Sequence, residues 1–572
     1  MAIDNRKLDR LRSGQSELEN HYVDELIAGR LDRRTFLRRG AVLGMSASAA
    51  GALLAACGGA NGTGGEAGVS SPSAGSSAST TSAPVTKGGT LKLANPTPAT
   101  AMNPLLVNDA GGGCLIAQTG EFLTFDNNLT LQLEPMLAAK WTHNGDGSAW
   151  TFKLRSGVKF HNGKPLTADD VVYTFQQLAD KKNASNALST FAGVLTPDGV
   201  KAVDSHTVAF HLEAPNGNFP YLVSSDNYNA IIVPKGTDFA KWGKTFIGTG
   251  PFKLKSYSTN QSAEFIANPS YWGGPPHLDR TVFTFYASQQ PQIVALQGGS
   301  VDVIIAFVPS GAQTILSNSG QYSILKYKSS QHRELSMRCD QEPFTDPRVR
   351  QAIAYSLDRP AMVQALLQGY GQVGTDNPFA PMFPSTNTSA PQRTQNIAKA
   401  KQLLQAAGHS SFTATLATEQ FEEVPQLAQV IAQSAAKIGV KINLKAETQS
   451  QYYGKATFGN SDWLDAEISL VDYGDRGVPN VFLESPLVTG GSWNAAHFSN
   501  KTYDNLVKQY VAAVDLQAQK QIAGKIEQLL LDQTPLIIPY FLDGLTASTP
   551  KVHGLNPTAT QQIFLKDAYM SG

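Results

Sequence analysis

The sequence predicts a mixed α/β fold with several lobes, and three observations support this prediction. The chain has 572 residues, whereas a typical domain has about 100–200. Segments that alternate polar and apolar residues, as half-buried strands do, recur after Gly89. Apolar stripes at helical spacing stand between them, with a capping residue before or a glycine after. Strands and helices that interleave along a long chain favour the α/β class.

Composition narrows the classes of function. Lys and Arg number 46, as do Asp and Glu, so the formal net charge is zero. This balance argues against a general nucleic-acid binder, which needs a basic excess. Apolar residues make up 41% of the chain, enough for a large core. No apolar run reaches the roughly 18–20 residues of a membrane span, and three cysteines are too few for a disulfide scaffold.

Residues 1–56 are predicted to be an export signal rather than part of the folded body. Arg33 and Arg34, followed two residues later by Phe-Leu, resemble the core of a twin-arginine signal. The weakly apolar stretch 41–56 is too short and too polar to span a bilayer, as is typical of a signal peptide. The alternative is the start of an amphipathic helix in which the two arginines have no targeting role.

Cys57 is predicted to carry a lipid anchor. It follows Leu54-Ala55-Ala56 as in a bacterial lipobox, where small residues fit the peptidase and the thiol receives the lipid. Several acyl chains together anchor a protein stably. Residues 57–88 are mostly Gly, Ser, Ala and Thr and cannot bury enough apolar surface to fold, so we expect a flexible tether. The mature protein is therefore expected outside the cytoplasm, attached to the cell membrane.

The remainder of the chain contains well-marked strands and helices. Alternation predicts strands over 90–93, 150–154 and 207–212. Caps and apolar stripes predict helices after Thr167, after Asp346-Pro347, over 396–407 and over 427–438. Gly439 and the strand-like 440–444 complete a helix-glycine-strand unit. The segment 157–163 is expected to form two strand fragments around glycine turns.

Five ordered blocks of the sequence resemble those of one protein family. The first runs from Leu154 to Val172 and reads LRSGVKFHNGKPLTADDVV. The others are GTGPFKL at 248–254, NPSYW at 268–272, ALQGGSVD at 295–302 and PFTDPRVRQAI at 343–353. Together they resemble the bacterial extracellular solute-binding proteins of family 5, the peptide, nickel and opine binders, over roughly residues 88–550. Most of these blocks are scaffold turns and caps, so they identify the fold rather than the ligand.

The resemblance implies a type II periplasmic-binding-protein-like clamshell with two α/β jaws, an inserted third lobe and two crossing strands as the hinge. Lobe I would comprise 89–120, 205–285 and 526–572, lobe II 121–204, and lobe III 286–525. The resemblance also implies a monomer that closes its jaws on a small solute for the permease of an ABC importer. Such a protein has no cofactor and binds no nucleic acid.

Motifs for catalysis and metal binding are missing from the sequence. There is no His-Glu-x-x-His, no Cys-x-x-Cys and no Gly-x-Ser-x-Gly. Two segments that look like phosphate loops, 157–165 and 238–245, each break the motif. We therefore expect no catalytic residue, no metal site and no cofactor. Cys114 and Cys339 lie far apart, and both a disulfide and two free thiols stay open.

The segment VDYGDR at 471–476 resembles the pocket element in which, in this family, an acidic residue followed by Tyr meets the amino terminus of a peptide. Asp472 and Tyr473 would take those positions, although SLV precedes Asp472 where the family often has Trp and Ala. Asp472 would hold an ammonium through a charged hydrogen bond of roughly 1.5–3 kcal/mol. Arg476 would pair with a ligand carboxylate. The alternative is that Asp472 caps a loop or pairs with Arg476.

Three further residues complete the predicted binding site. The segment GSWN at 491–494 resembles a loop returning towards the hinge, where Trp493 would stack on a ligand or wedge the jaws, with Asn494 beside it. Asn108 precedes the glycines 111–113, whose backbone amides would approach a ligand from the first jaw. A surface turn is the alternative for this segment.

The predicted function is a lipid-anchored solute-binding protein that captures a small solute, above all an oligopeptide or a dipeptide-like compound, and delivers it to a permease. An extracytoplasmic hydrolase and a signalling receptor on the same fold are the alternatives. The hydrolase needs a nucleophile and a base within hydrogen-bond reach in the cleft, and the receptor differs in its downstream partner. Fold alone does not settle the ligand, because similar frameworks bind peptides, nickel chelates, opines and sugars.

Overall fold

Two large β-sheets organise the folded part of the chain, which a computed structural model describes over residues 86–318 and 320–571. The predicted export signal with Arg33 and Arg34, the lipidation residue Cys57 and the tether up to residue 85 lie outside the described residues. Those parts of the prediction stay predictions. Within the described residues, no helix is long and apolar enough to cross a membrane.

The first sheet has seven strands and is built around Thr90–Pro96. This strand pairs in parallel with Arg280–Tyr286 on one side and with Val303–Ile304 on the other. Leu91 and Leu93 are fully buried, as the predicted alternation requires. From edge to edge the strands are Ser323–Tyr327, Gly544–Ser548, Val303–Ile304, Thr90–Pro96, Arg280–Tyr286, Ser262–Ala267 and Phe252–Ser258. Two of them come from the range assigned to lobe III, so the sheet extends across the predicted boundary at 286.

The second sheet also has seven strands and contains the predicted helix-glycine-strand unit. Phe412–Glu419 and Val440–Glu447 run in parallel, and the helix Val424–Ala436 connects them. Gly439 has a φ of +94° before the second strand, a left-handed conformation that glycine adopts without steric cost. The strand order is Gly371–Val373, Tyr540–Leu542, His332–Met337, Ile468–Tyr473, Phe412–Glu419 and Val440–Glu447, with Leu536–Ile537 beside His332–Met337.

A four-stranded antiparallel sheet shares the hydrophobic core of the first sheet. Its order is Ala138–His143, Ala149–Leu154, Thr207–His211 and Val200–Asp204, which confirms two predicted strands. The two strand fragments expected over 157–163 are wrong: the segment forms turns with a single bridge from Lys159 to Pro165. Gly157 and Gly163 have left-handed φ angles, which close these turns. Three small hairpins pair Thr124–Asn127 with Gln132–Pro135, Val552–His553 with Tyr569–Met570 and Asn556–Pro557 with Ile563–Phe564.

Helices flank the sheets. In chain order the α-helices are Ala110–Thr119, Ala168–Ala179, Leu188–Phe191, Phe219–Leu222, Phe239–Trp242, Gln289–Gln297, Gln313–Leu316, Pro347–Ser356, Arg359–Leu367, Ile397–Ala406, Val424–Ala436, Gln449–Tyr452, Asn480–Glu484, Lys501–Ala512 and Leu516–Gln533. The 3-10 helices are Lys181–Asn183, Pro197–Gly199 and Tyr228–Ala230. All four predicted helices are confirmed among them.

The helix after Thr167 illustrates how a capping residue predicts where a helix begins. The carboxylate of Asp170 accepts a 2.8 Å hydrogen bond from the backbone N–H of Thr167, which fixes the first turn. Val171, Phe175 and Leu178 are fully buried on one side of the helix. A capped start followed by an apolar stripe therefore forms the predicted helix.

The two large sheets have separate hydrophobic cores. We call the residues around the first and four-stranded sheets the first body, and those around the second sheet the second body. Among the described strands, the chain passes between them at 328–331 and again at Asp543. Asp543 is buried there and pairs with Lys326 and Lys328, at 3.1 and 3.6 Å.

The two remaining cysteines are free thiols. Cys114 is fully buried in the helix Ala110–Thr119 of the first body. The Sγ of Cys339 donates to the carbonyl oxygen of Met337 in the second body. Of the two alternatives for this pair, the structure therefore has the unpaired thiols.

Candidate functional site

A cleft of about 580 Å³ lies between the two bodies. This volume is within the roughly 300–1,000 Å³ that is typical of small-molecule sites. The first body contributes Asn108, Asp226 and Tyr228, among others, and the second contributes Glu422, Asp472, Asp475, Arg476 and Trp493, among others. A ligand in the cleft therefore contacts both bodies.

Asp472 lies in the cleft wall near the end of the strand Ile468–Tyr473. In the antiparallel register it stands opposite Arg333. Its carboxylate lies 3.8 Å from Nη1 of Arg333 and accepts a long, 3.4 Å hydrogen bond from the Tyr453 hydroxyl. The side chain is 21% exposed. Because these internal contacts are long, the carboxylate can still accept a charged hydrogen bond from a ligand.

Arg333 organises the carboxylates behind Asp472. Its guanidinium is fully buried and forms a two-point ion pair with Glu423, at 2.8 and 3.0 Å. The same group donates to Glu422 at 2.7 Å. Glu419 lies beside Asp472 and accepts a 3.2 Å hydrogen bond from its backbone N–H. We call Arg333, Glu419, Glu422, Glu423 and Asp472 the Arg333 cluster.

The Arg333 cluster has more acidic than basic groups, because three carboxylates approach one guanidinium and Glu419 adds a fourth beside Asp472. Burial and the nearby charge of Asp472 raise the pKa of Glu419 to about 7. Burial also raises the pKa of Glu422 to about 7, although the Arg333 charge opposes the shift. A wall with this charge attracts a cationic group of a ligand.

Arg476 is the single basic residue among the described residues that line the cleft. Its Nη1 donates to the backbone carbonyl of Asp475 at 2.7 Å. Within the described residues the guanidinium forms no ion pair, so the alternative in which Asp472 pairs with Arg476 is not found; the cation beside Asp472 is Arg333. Arg476 can therefore pair with an anionic group of a ligand.

Trp493 lines the cleft and Tyr473 lies behind it. The two rings are stacked, with centroids 6.0 Å apart and planes at 29°. Tyr473 also packs against His332 and Phe482. The structure thus brings Trp493 to the cleft surface, whereas Tyr473 supports it from within.

Asn494 does not line the cleft. It is 3% exposed, and its amide nitrogen donates to the carbonyl oxygens of Val488 and Phe498, at 3.0 and 2.8 Å. Its Oδ1 accepts from the N–H of Phe498 at 2.9 Å. The side chain therefore holds the loop that presents Trp493.

Asn108 is exposed and lines the cleft from the first body, next to the helix Ala110–Thr119. The glycines after it have another role than the one expected for them. They are buried in the first turn of this helix, where a Cβ at Gly111 would overlap the carbonyl of Pro96 and one at Gly113 would meet the Tyr228 ring. Close packing, rather than contact with a ligand, requires them.

Sequence reasoning missed Arg333, Glu422 and Asp226. A signal for Arg333 existed, because a strand rarely buries Arg without acidic partners and 332–337 reads HRELSM. Asp226 gave no local signal, since the carboxylates near it, those of Asp126 and Asp475, come from distant parts of the chain. The lining as a whole offers carboxylates, one guanidinium and an indole, which suit a ligand with both charges and an apolar part.

The sequence is similar to one family of known proteins and to several of its members. The family model described as bacterial extracellular solute-binding proteins, family 5 Middle, matches residues 132–483. Heme-binding protein A of Haemophilus influenzae is 28% identical over 457 residues, which cover 74% of this chain and 81% of that protein. The dipeptide-binding protein of Escherichia coli is 26% identical over 441 residues, which cover 72% of this chain and 81% of that protein.

A solved structure confirms the predicted fold class. HbpA2 from Haemophilus parasuis matches with a TM-score of 0.74 at 24% identity, covering 84% of this chain and 100% of that one. The described residues form an α/β clamshell of the type II periplasmic-binding-protein class. At this level of identity the similarity concerns the fold alone.

Proposed function

Because the chain belongs to the bacterial extracellular solute-binding proteins of family 5, we propose that it captures a short peptide between its two bodies and delivers it to the permease of an ABC importer. The observation that carries this proposal is that one cleft contains two groups of opposite charge, the Asp472 carboxylate and the Arg476 guanidinium. A short peptide has an ammonium at one end and a carboxylate at the other. The similarity to a dipeptide-binding protein supports the same ligand class.

Each proposed contact has a physical role. Asp472 accepts hydrogen bonds from the peptide ammonium, and the Arg333 cluster behind it adds negative charge. Arg476 pairs with the peptide carboxylate through the two-point geometry that suits guanidinium and carboxylate groups. Trp493 packs against an apolar part of the peptide, with Tyr473 as its support. Asn108 adds a polar contact from the first body.

Capture also requires that the two bodies move relative to each other. The chain passes between them at 328–331 and Asp543, and such short connections are where hinge closure takes place. A peptide that contacts both bodies stabilises the closed form by its differential affinity. The importer's permease would then receive the closed, loaded protein.

The proposed location is outside the cytoplasm. Export would depend on Arg33 and Arg34, and lipidation of Cys57 would hold the protein at the membrane through the tether 57–88. Cell fractionation of Cys57→Ala tests this part: the variant is expected in the soluble extracytoplasmic fraction, whereas the unmodified chain stays with the membrane.

Thermal unfolding against a panel of dipeptides, tripeptides, hemin, nickel-histidine and maltose tests the ligand class. We expect peptides to raise the midpoint, because a ligand of the native state stabilises it by mass action. Asp472→Asn should weaken dipeptide binding about tenfold or more. An N-acetylated dipeptide, which lacks the ammonium, is the control and should bind both proteins equally weakly. A rise of the midpoint with hemin alone would contradict the proposal, and so would the absence of a rise with every solute of the panel.

The same samples separate capture from hydrolysis. Mass spectrometry of the peptide after prolonged incubation is expected to recover it unchanged. Recovery of its amino acids at a rate that depends on the protein would favour the hydrolase alternative.

A further inference from the structure

Three aspartates from distant parts of the chain meet beside Arg476. Asp226 of the first body and Asp475 of the second body line the cleft. Asp126 of the first body lies next to both and is 7% exposed. We call these three residues the aspartate triad. It is separate from the Arg333 cluster.

The first body holds two members of the triad side by side through their backbones. The N–H of Asp126 donates to Ser225 Oγ at 3.0 Å, and the N–H of Asp226 donates to Ser224 Oγ at 3.1 Å. These bonds do not involve the carboxylates; that of Asp226 accepts a hydrogen bond from the backbone N–H of Gly477, and no basic side chain of the described residues forms an ion pair with either one. The two acidic groups are therefore positioned without being neutralised.

Asp475 is fixed by the segment that joins the two bodies. Its Oδ1 accepts hydrogen bonds from the N–H and hydroxyl of Ser330, at 2.6 and 2.9 Å, and from the hydroxyl of Ser329 at 3.1 Å. Gly477 allows the bodies to approach here, because a Cβ at this position would overlap the Asp126 carboxylate. The triad is thus a built feature of the contact between the bodies.

No basic side chain pairs with the triad among the described residues. Within residues 86–318 and 320–571 no donor is hydrogen-bonded to the Asp126 carboxylate, although the residue is more than nine-tenths buried. Arg476 acts on Asp226 through its charge but forms no ion pair with it. Burial, and for Asp126 and Asp475 also repulsion from the other aspartates, raises the pKa of all three, that of Asp475 to about 7. Buried carboxylates without a cation are costly.

A ligand can supply the missing cation. The described residues contain no group of three His, Cys, Asp or Glu side chains arranged to hold a metal ion. Two members of the triad nevertheless face the cleft, so a cationic group on an organic ligand can reach them. An ammonium or guanidinium also donates several hydrogen bonds, which matches the unused carboxylate oxygens.

We propose that the aspartate triad binds the side-chain ammonium or guanidinium of a basic residue, so that the cleft selects short peptides that contain lysine or arginine. This inference rests on the proposed function. Because Arg476 follows Asp475 directly in the chain, the basic residue lies at the carboxyl-terminal end of the bound peptide. The triad then sets which peptide binds, whereas Asp472 holds the ammonium that every peptide has.

Titration calorimetry of the full chain with two dipeptides tests this selection. Ala-Lys carries the side-chain ammonium, and Ala-norleucine has the same carbon chain without it. We expect Ala-Lys to bind at least tenfold more tightly at pH 7, because the cation contacts the triad. We also expect it to release more protons than Ala-norleucine, since it displaces protons held by the triad; titration in two buffers of different ionisation heat measures this release.

A charge-removing variant and a matched control assign the effect to the triad. Asp226→Asn should reduce the advantage of Ala-Lys over Ala-norleucine to less than threefold. Asp198 is exposed in the 3-10 helix Pro197–Gly199 and does not line the cleft. Asp198→Asn removes the same charge elsewhere and should keep the tenfold advantage.

Equal affinities for the two dipeptides in the unmodified chain would overturn the triad's role and leave peptide capture intact. An advantage for Ala-Lys that survives Asp226→Asn would overturn it as well. If the chain bound neither dipeptide and no other peptide, the proposed function itself would be overturned. If Asp226→Asn does not fold, the affinities and proton release of the unmodified chain still decide the proposal.

Discussion

The Arg333 cluster and the aspartate triad both bring carboxylates together at the cleft, but they differ in whether a basic side chain compensates the negative charge. In the Arg333 cluster a buried guanidinium pairs with Glu423 and Glu422. In the triad no basic side chain of the described residues forms an ion pair. The Arg333 cluster lies within the second body, whereas the aspartate triad contains residues of both bodies.

This difference separates groups that the protein satisfies itself from groups that it leaves for a ligand. A buried ion pair with good geometry fixes the position of its members, and removing one partner is costly. Carboxylates without a cation gain most from one that arrives with the ligand. The Arg333 cluster is therefore expected to govern stability and the general affinity for an ammonium, and the triad to govern selectivity.

Arg333→Met should destabilise the protein most, and its effect tests whether the Arg333 cluster governs stability. Arg333→Met leaves buried carboxylates without their cation, so the free energy of unfolding at pH 7 should fall by about 3–5 kcal/mol. The loss should shrink at pH 5, because burial raises the pKa of Glu422 and its carboxylate can then take up a proton. Urea denaturation followed by tryptophan fluorescence measures both values.

Arg348 provides the matched control for that measurement. Its side chain is 47% exposed and pairs with Asp346 at the surface, so Arg348→Met should cost far less stability than Arg333→Met, because an exposed ion pair contributes little. A similar small loss for Arg333→Met would show that the Arg333 cluster is not held together by its cation.

The pH dependence of the stability of Asp475→Asn tests whether the triad contains a buried carboxylate without a cation. Burial raises the pKa of Asp475 in the folded protein to about 7, above its value in the unfolded chain. The associated stabilisation is present at low pH and is lost as the pH rises through about 7. Asn does not titrate, so the stability of the variant relative to the unmodified chain should rise by about 1–3 kcal/mol between pH 5 and pH 8.

Denaturation curves at both pH values check this prediction. Any constant offset, for example from an amide nitrogen facing the N–H of Ser330, does not affect the change with pH. Asp198→Asn should show stability parallel to that of the unmodified chain. Parallel curves for Asp475→Asn would mean that Asp475 keeps an ordinary pKa in the fold.

The sequence predicted the scaffold better than the cleft, for a physical reason. Helix caps and strand alternation act over a few residues, so Thr167 with Asp170 and the strand around Leu91 were readable. The ordered blocks also predicted the family and the clamshell class, which are confirmed. The lobe boundaries and the ligand contacts of Asn108, Asp472, Arg476 and Trp493 stay predictions, whereas Tyr473 and Asn494 lie behind the surface of the cleft.

The cleft depends on contacts between distant parts of the chain. Asp472 and Arg476 were visible as a motif, but Arg333 reaches Asp472 only through strand register. The triad joins Asp126, Asp226 and Asp475 through the approach of two bodies, which local pattern does not encode. Gly111–Gly113 was misread for the same reason, since its packing partners Pro96 and Tyr228 lie elsewhere in the chain.

Trp493 and Asn494 are consecutive residues of one loop, and we expect modest effects from replacing them. Trp493 lies at the cleft surface, whereas Asn494 forms hydrogen bonds within the loop. Trp493→Ala removes a ring from the cleft surface, so the Kd for a dipeptide should rise about tenfold, or about 1.4 kcal/mol. Asn494→Ala removes three internal hydrogen bonds, so stability should fall by about 1–2 kcal/mol while the Kd stays within twofold. Calorimetry and urea denaturation of both variants separate the two roles. If Asn494→Ala weakened binding and left stability unchanged, its amide would have to face the ligand, and the loop would have to rearrange when the cleft is occupied.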